Sequence, residues 1–176
     1  MSLIRNEEYS DDIGHVLINL FNFMVKENWC GACHACSSIL YVALSELGYK
    51  PILCIGEVLG DSLYFDHSWI ELNGKIFDLA INMTMLNGLA VSGVVIGGTD
   101  IDTNKISTLK YGVCGRGIED EARIVMNTPF TQYMNRFQYG KDGLWSIVEI
   151  VLQKKVDIRD LRKKYNNTKR TLIRRG

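Results

Sequence analysis

The apolar positions of the first fifty residues fall at helical intervals. Ile13, Val16, Leu17, Leu20, Phe21, Met24 and Val25 recur every three or four places, which sets them on one face of a helix. Asp11 or Asp12 is positioned to cap it, and the pattern stops near Glu27-Asn28. A second set, Cys36, Ile39, Leu40, Ala43, Leu44 and Leu47, predicts another helix. It ends at Gly48, a residue suited to the left-handed conformation of a helix stop. Cys33 then lies in or beside the first turn of that second helix.

From Pro51 the period changes. "PILCIGEVL" is a β-rich apolar run, "GDS" breaks it, and "YFDHSWIELNGKIFDLAI" follows. Asn73-Gly74 between two apolar-rich runs predicts a hairpin with a two-residue type I′ turn, its strands covering about residues 64–72 and 75–80. Such a turn pairs Leu72 with Lys75. Asp78 then faces Trp69, and His67 faces position 80. His67 and Asp78 become diagonal neighbours, roughly 7–8 Å apart or less at their side chains, within reach of a carboxylate–imidazole hydrogen bond. Further on, "VSGVVIGG" reads as a strand and "YGVCGRG" as a glycine-rich loop. Residues 118–138 read as helix interrupted at Pro129, "LWSIVEIVLQKK" as helix, and Asp157 opens a short basic helix. Helices flanking an antiparallel hairpin predict an α+β fold.

Composition sets the class. A chain of 176 residues, 47% hydrophobic and 23% charged with two prolines, is a single ordinary domain with a real core. Net charge is zero, so no global field points to nucleic acid or membrane. The charge is nonetheless segregated: residues 154–176 hold ten Lys/Arg against two Asp, leaving residues 1–153 with ten basic and eighteen acidic side chains. The expected organisation is a domain over 1–153 with a basic helix and solvated tail over 154–176. That tail is open to an acidic partner, but lacks the interleaved aromatics that stack on bases. No stretch approaches the roughly 18 uninterrupted apolar residues of a membrane span. No apolar run follows a basic start at the N-terminus, so no secretory signal is expected. With five cysteines, an odd number, free thiols in the cytoplasm are expected rather than a disulfide framework.

The chemistry concentrates in "WCGACHACSS", residues 29–38. Cys30 and Cys33 form the C-x-x-C of a thiol–disulfide module, but such a module needs a strand ahead of the pair, where the helical spacing from Ile13 continues. Cys30 to His34 spells a haem-attachment string, which needs export. Cys30, Cys33, His34 and Cys36 crowd into seven residues, whereas tetrahedral zinc usually draws ligand pairs from separate elements. Neither haem, zinc nor calcium is expected. A nucleophile reading needs a thiol at a helix start, a histidine elsewhere and a carboxylate to hold it. Helix N-terminal N–H groups lower a thiol pKa and stabilise the oxyanion formed on attack at a carbonyl. Cys33, His67 and Asp78 meet these needs. His34 and Cys36, on the nucleophile helix, either flank the site or face the core, with the core favoured, and Trp69 and Glu71 are expected to serve packing and the strand surface.

These residues carry a resemblance. Cys33, Leu47-Gly48 before Pro51, Ile55-Gly56, His67-Ser68-Trp69-Ile70-Glu71 and Asp78 resemble the core of the transglutaminase-like superfamily within the papain-like cysteine fold. "CGACHACS" is similar to the papain nucleophile segment and selects the same cysteine. The resemblance spans residues 29–80. It implies a nucleophile helix packed on an antiparallel sheet that carries the His and Asp, with a Cys33–His67–Asp78 triad. It also implies cysteine-dependent hydrolysis or acyl transfer on a peptide, protein or small amide or acyl substrate. The backbone N–H of Cys33 and a group from Asn28 or Trp29 would meet the oxyanion. Two alternatives stay open: a redox module using Cys30 and Cys33, and a non-catalytic binding domain.

Overall fold

Helix α1 (Asp11–Lys26) buries Ile13, Val16, Leu17, Leu20 and Met24 along the expected face, with Phe23 added, whereas Phe21 is only partly buried and Val25 is exposed. Its N-cap is Ser10. Asp11 and Asp12 sit inside the first turn, where they face the positive end of the helix without capping it. Helix α2 (Cys33–Glu46) is buried around most of its circumference, from Ala35 to Leu44, because it is packed between α1 and α5 (Leu144–Leu152) on one side and the sheet on the other. It closes in a Schellman arrangement: Tyr49 N–H donates to Leu44 O and Gly48 N–H to Ser45 O, with Gly48 at φ +89°. The computed structural model describes residues 10–84, 91–137 and 139–175.

Among the described residues the fold is α+β, six α-helices against a curled antiparallel sheet with one parallel edge strand. The remaining helices are α3 (Asp120–Asn127), α4 (Phe130–Arg136) and α6 (Ile158–Lys164). The strands are β1 (Ile52–Gly60), β2 (Leu63–Leu72), β3 (Lys75–Asp78), β4 (Val95–Ile96), β5 (Thr99–Asp100), β6 (Lys105–Ile106), β7 (Lys110–Val113) and β8 (Thr171–Leu172). They run in the order β6-β5-β4-β3-β2-β1-β7, and β8 lies parallel to β1. Leu72 pairs with Lys75 across Asn73 and Gly74, whose φ of 52° and 76° are those of a type I′ turn. Ile70, Leu72 and Phe77 join the main core with the helices, whereas Trp69 joins Cys54, Val58 and Tyr111 in a smaller one.

Three expectations need correction. β3 stops at Asp78 instead of running to residue 80, because Asp78 Oδ1 accepts the N–H groups of Ala80 and Ile81 and starts a 3₁₀ turn (Ala80–Met83). "YGVCGRG" is not all loop. Tyr111 to Val113 belong to β7 on the edge of β1, and only the residues after them turn away. There Glu57, buried in β1, accepts the N–H groups of Gly115, Arg116 and Gly117. The segment "VSGVVIGG" supplies only the two-residue β4. No described helix is long and apolar enough to cross a membrane.

The third correction concerns the basic end, expected as a helix and solvated tail appended to residues 1–153. α6 is capped by Asp157, which accepts from Arg159 and Asp160 N–H, but Leu161 and Tyr165 belong to the main core. Beyond α6 the chain returns to the sheet. β8 pairs with Cys54 and Ile55 of β1, and Arg175 N–H donates to Gly112 O. Part of the segregated charge is met within the chain: Lys164 pairs with Glu46 at 2.7 Å, Arg162 with Asp142 at 3.0 Å, and Arg175 with Glu71. Arg170 is buried, donating to Ser38 Oγ at 2.9 Å with its guanidinium 4.3 Å from the Tyr133 ring centre.

Gly112 and Gly117 separate two reasons for glycine. Gly112 has φ +74°, and a Cβ there would lie 2.4 Å from Ile173 Cγ2, whereas Gly117 at φ +85° has open space around it. Gly117→Ala should cost only the left-handed penalty, about 1–2 kcal/mol. Gly112→Ala should add overpacking of about 1–3 kcal/mol by forcing the C-terminal strand off β1. Urea unfolding of the two variants checks this; equal losses would mean that Ile173 is not held against β7.

Candidate functional site

Cys33 is the first residue of α2. The first N–H of the helical ladder is that of Cys36, donating to Ala32 O at 2.8 Å, so the Cys33 N–H precedes the ladder. The loop in front is pinned where Gly31 N–H donates to Met83 O at 2.7 Å, at the end of the 3₁₀ turn that Asp78 starts. The thiol's helix and the turn below Asp78 are therefore tied directly together.

His67 lies in β2, opposite Gly56 of β1. Its Nε2 is 2.8 Å from Asp78 Oδ2, and both side chains are almost wholly buried, at 3% and 1% exposure. The contact is close but not aligned as a good N–H···O bond. Asp78 has other donors: the Ala80 and Ile81 N–H groups reach Oδ1, both at 3.1 Å, and the Tyr111 hydroxyl reaches Oδ2 at 2.9 Å. The residue is thus both the strand-end cap and the anion beside the imidazole. With Nε2 turned to Asp78, Nδ1 is the nitrogen left for the thiol. The Phe65 ring stands edge-on against the imidazole at 5.7 Å.

The charges settle as an ion pair. Burial alone pushes the Cys33 thiol up, but the positive His67, with hydrogen bonds from His34 and His67, overrides it and brings the thiol down to about 5. Burial alone pushes His67 down, but the Asp78 and Cys33 charges override it and hold the imidazole up to about 10. Between those values the favoured state is thiolate facing imidazolium. The neighbouring thiols go the other way. Burial, then Asp78 and Cys33, push Cys36 well above the ordinary range, and burial, then Glu71, push Cys54 up to about 12.

The thiol opens onto a cleft of about 210 Å³ lined by Gly31, Cys33, His34, Phe65, Asp66, His67, Ala80 and Thr84. Cys36 is buried in the main core, as expected. His34 is not: it lines the cleft, and its Nδ1 is 2.7 Å from Ser68 Oγ. Asn28 and Trp29 are brought to other places. Asn28 is exposed in a left-handed turn at φ 51°, and the Trp29 ring packs at 5.0 Å against both Phe23 and Phe137. Cys30 is exposed, its sulfur 4.0 Å from Asn28 Oδ1. Trp69 donates to Glu71 Oε1 at 3.0 Å and packs on Tyr111, serving the sheet.

The residues missed by sequence reasoning are Phe65, Asp66 and Tyr111. Phe65 and Asp66 sit two and one places before His67, and strand alternation would have set Phe65 beside it. Burial raises the Asp66 carboxyl above its usual range, although the Glu119 N–H bond opposes this. Nothing local marks Tyr111, which comes from the far edge of the sheet. Among the described residues no three His, Cys, Asp or Glu side chains gather as a metal site. No protein-family model, curated protein or solved structure matches the chain.

The ion pair has a pH signature. Cys33 lies below its free value, so the thiolate, and with it alkylation by iodoacetamide, should rise through about pH 5 and stay high to neutrality and beyond. In His67→Ala the largest influence opposing burial is lost and only His34 is left against it, so the midpoint should move to higher pH. Site-mapped labelling rates across pH measure both. An unchanged midpoint in the variant would mean that His67 does not hold the thiolate.

Proposed function

We propose that the protein is a cysteine-dependent acyl-transfer enzyme, working through a thioester on Cys33 with His67 and Asp78 as partners, on a core of the transglutaminase-like or papain-like kind. The observation that carries this reading is the buried imidazole of His67, with Asp78 Oδ2 2.8 Å from Nε2 and the Cys33 thiol sharing its cleft at the start of α2.

The chemistry follows from that arrangement. The thiolate attacks the carbonyl carbon of an amide or ester, and the carbonyl π pair moves to oxygen. The Cys33 N–H meets the resulting oxyanion. As the tetrahedral species collapses, the imidazolium gives its proton to the leaving amine, and Asp78 holds the ring's orientation throughout. Neutral His67 then takes a proton from water, which attacks the thioester and releases the acid. An amine attacking in place of water gives transamidation. Hydrolysis of a peptide or amide is the first choice, transamidation or deamidation the second, and small-molecule acyl transfer the third. A cleft of about 210 Å³ favours a single side chain or a short acyl group at the reacting centre.

A redox module built on Cys30 and Cys33 finds less support. The element ahead of the pair is α1, not a strand, and Cys30 stands in the exposed loop beside Asn28. Incubation with p-nitrophenyl acetate should yield one acetyl group on Cys33, detected by intact-mass and peptide mapping and released by hydroxylamine. Cys30→Ser should retain it, and Cys33→Ser should abolish it. Asp78→Asn should slow it by about 10²-fold or more, as loss of the group that holds a catalytic imidazole does. Acetyl transfer that vanishes in Cys30→Ser would overturn the proposal in favour of the dithiol.

A further inference from the structure

An oxyanion at Cys33 has one donor already, the backbone N–H of the nucleophile. The two side chains that the sequence suggests as a second donor, Asn28 and Trp29, stand elsewhere, one in an exposed turn and one in an aromatic cluster. His34 is the polar side chain next along α2. It lines the same cleft as Cys33 and His67, and its Nδ1 is held at 2.7 Å by the buried hydroxyl of Ser68.

We infer that His34 is a second catalytic histidine, an oxyanion donor whose Nε2–H completes the hole that the Cys33 N–H begins. This rests on the acyl-transfer reading above and deepens it. In this role Nδ1 accepts from Ser68 Oγ–H across the 2.7 Å contact, the direction that leaves the N–H on Nε2. With Nδ1 so engaged, Nε2–H is the donor free to enter the cleft. In the resting enzyme it supports the sulfur, in accord with the His34 hydrogen bond that helps lower the thiol. When the C–S bond forms, the carbonyl oxygen gains its negative charge one bond away from the carbon bound to sulfur. The donor then turns from a sulfur that has lost its charge to an oxygen that has acquired it. Nothing is consumed: the proton stays on Nε2, the electron pair returns to carbon on collapse, and the leaving group departs with its bonding pair. The H-x-W segment thereby has two working residues, His67 for proton transfer and Ser68 for the tautomer of His34.

The roles of thiolate support and oxyanion support separate by reagent. Iodoacetamide alkylates sulfur by displacement at carbon and forms no oxyanion, whereas p-nitrophenyl acetate must pass through one. On the full chain, each rate is measured across pH and the plateaus are compared. His34→Ala should move the alkylation midpoint to higher pH yet leave its plateau, while the acetylation plateau falls about 100-fold, as for loss of one oxyanion donor. His34→Gln, which keeps an N–H near the Nε2 position, should restore most of the acetylation. Ser68→Ala should give an intermediate loss, because the tautomer is no longer held. Equal falls in the two plateaus, or no fall in acetylation, or failure of His34→Gln to rescue while circular dichroism shows a native fold, would overturn the inference. Wild-type protein that alkylates at Cys33 but never acetylates would instead overturn the acyl-transfer reading itself, and the inference with it.

Discussion

The carboxylate of Asp78 is the constraint on which the site and much of the sheet depend. A buried carboxylate costs several kcal/mol unless its lone pairs are met, and removing one partner of such a pair costs about 3–5 kcal/mol. Asp78 meets this demand from three directions. The backbone of the 3₁₀ turn caps Oδ1, the Tyr111 hydroxyl arrives from β7, and His67 stands beside it on β2. These partners explain the local geometry. β3 must end where its last side chain is needed by the following turn. That turn then offers Met83 O to Gly31, which positions the loop leading into α2. The sheet must curl far enough for β7 to reach β3 over Trp69. The placing of the thiol thus follows from satisfying a single anion.

The same logic of satisfying buried charge runs through the C-terminal segment. Residues 154–175 carry a local positive excess that the rest of the chain balances, and the acids they meet are spread over α2, β2 and the stretch before α5. Exposed pairs of this kind each contribute only about 0–1 kcal/mol, so charge alone would not hold the segment. Burial does. Leu161 and Tyr165 enter the core, and β8 adds backbone bonds on the side of β1 that β7 leaves open. Arg170 ties the segment to α4 and α2, its guanidinium over the Tyr133 and Phe130 rings and its Nη2 on Ser38, one turn below the cleft on α2.

What was legible in the sequence is what is local. The period of α1 and α2, the Gly48 stop and the Asn73-Gly74 turn are decided by neighbours within a few residues, and each lies where its pattern puts it. The turn matters most, because a two-residue loop sets the register of β2 and β3 and so the relation of His67 to Asp78. What was illegible depends on segments distant in the chain. Tyr111 lies 33 positions from Asp78, and Arg170 lies 132 from Ser38. "YGVCGRG" looked like a loop because glycine lacks strand propensity, yet Gly112 is there so that Ile173 can approach. The place of His34 on α2 suits either the core or the site, and its contact with Ser68, 34 positions away in the chain, is what separates the two.

Five free cysteines share this chain, and their environments decide which of them favours the thiolate. Cys36 and Cys54 are fully buried, and burial, with Asp78 near the one and Glu71 near the other, makes them weaker acids. Cys30 and Cys114 are exposed. Cys33 is half-buried, one turn of helix from Cys36, and separated from it in chemistry by its facing cation. Desolvation would raise it as it raises Cys36; the imidazolium reverses the sign. That imidazolium is held by Asp78 behind it together with the thiolate in front, and Asp78 also raises Cys36. One buried anion therefore acts in opposite directions on two thiols three residues apart: through His67 it favours the thiolate of the one, and directly it disfavours that of the other.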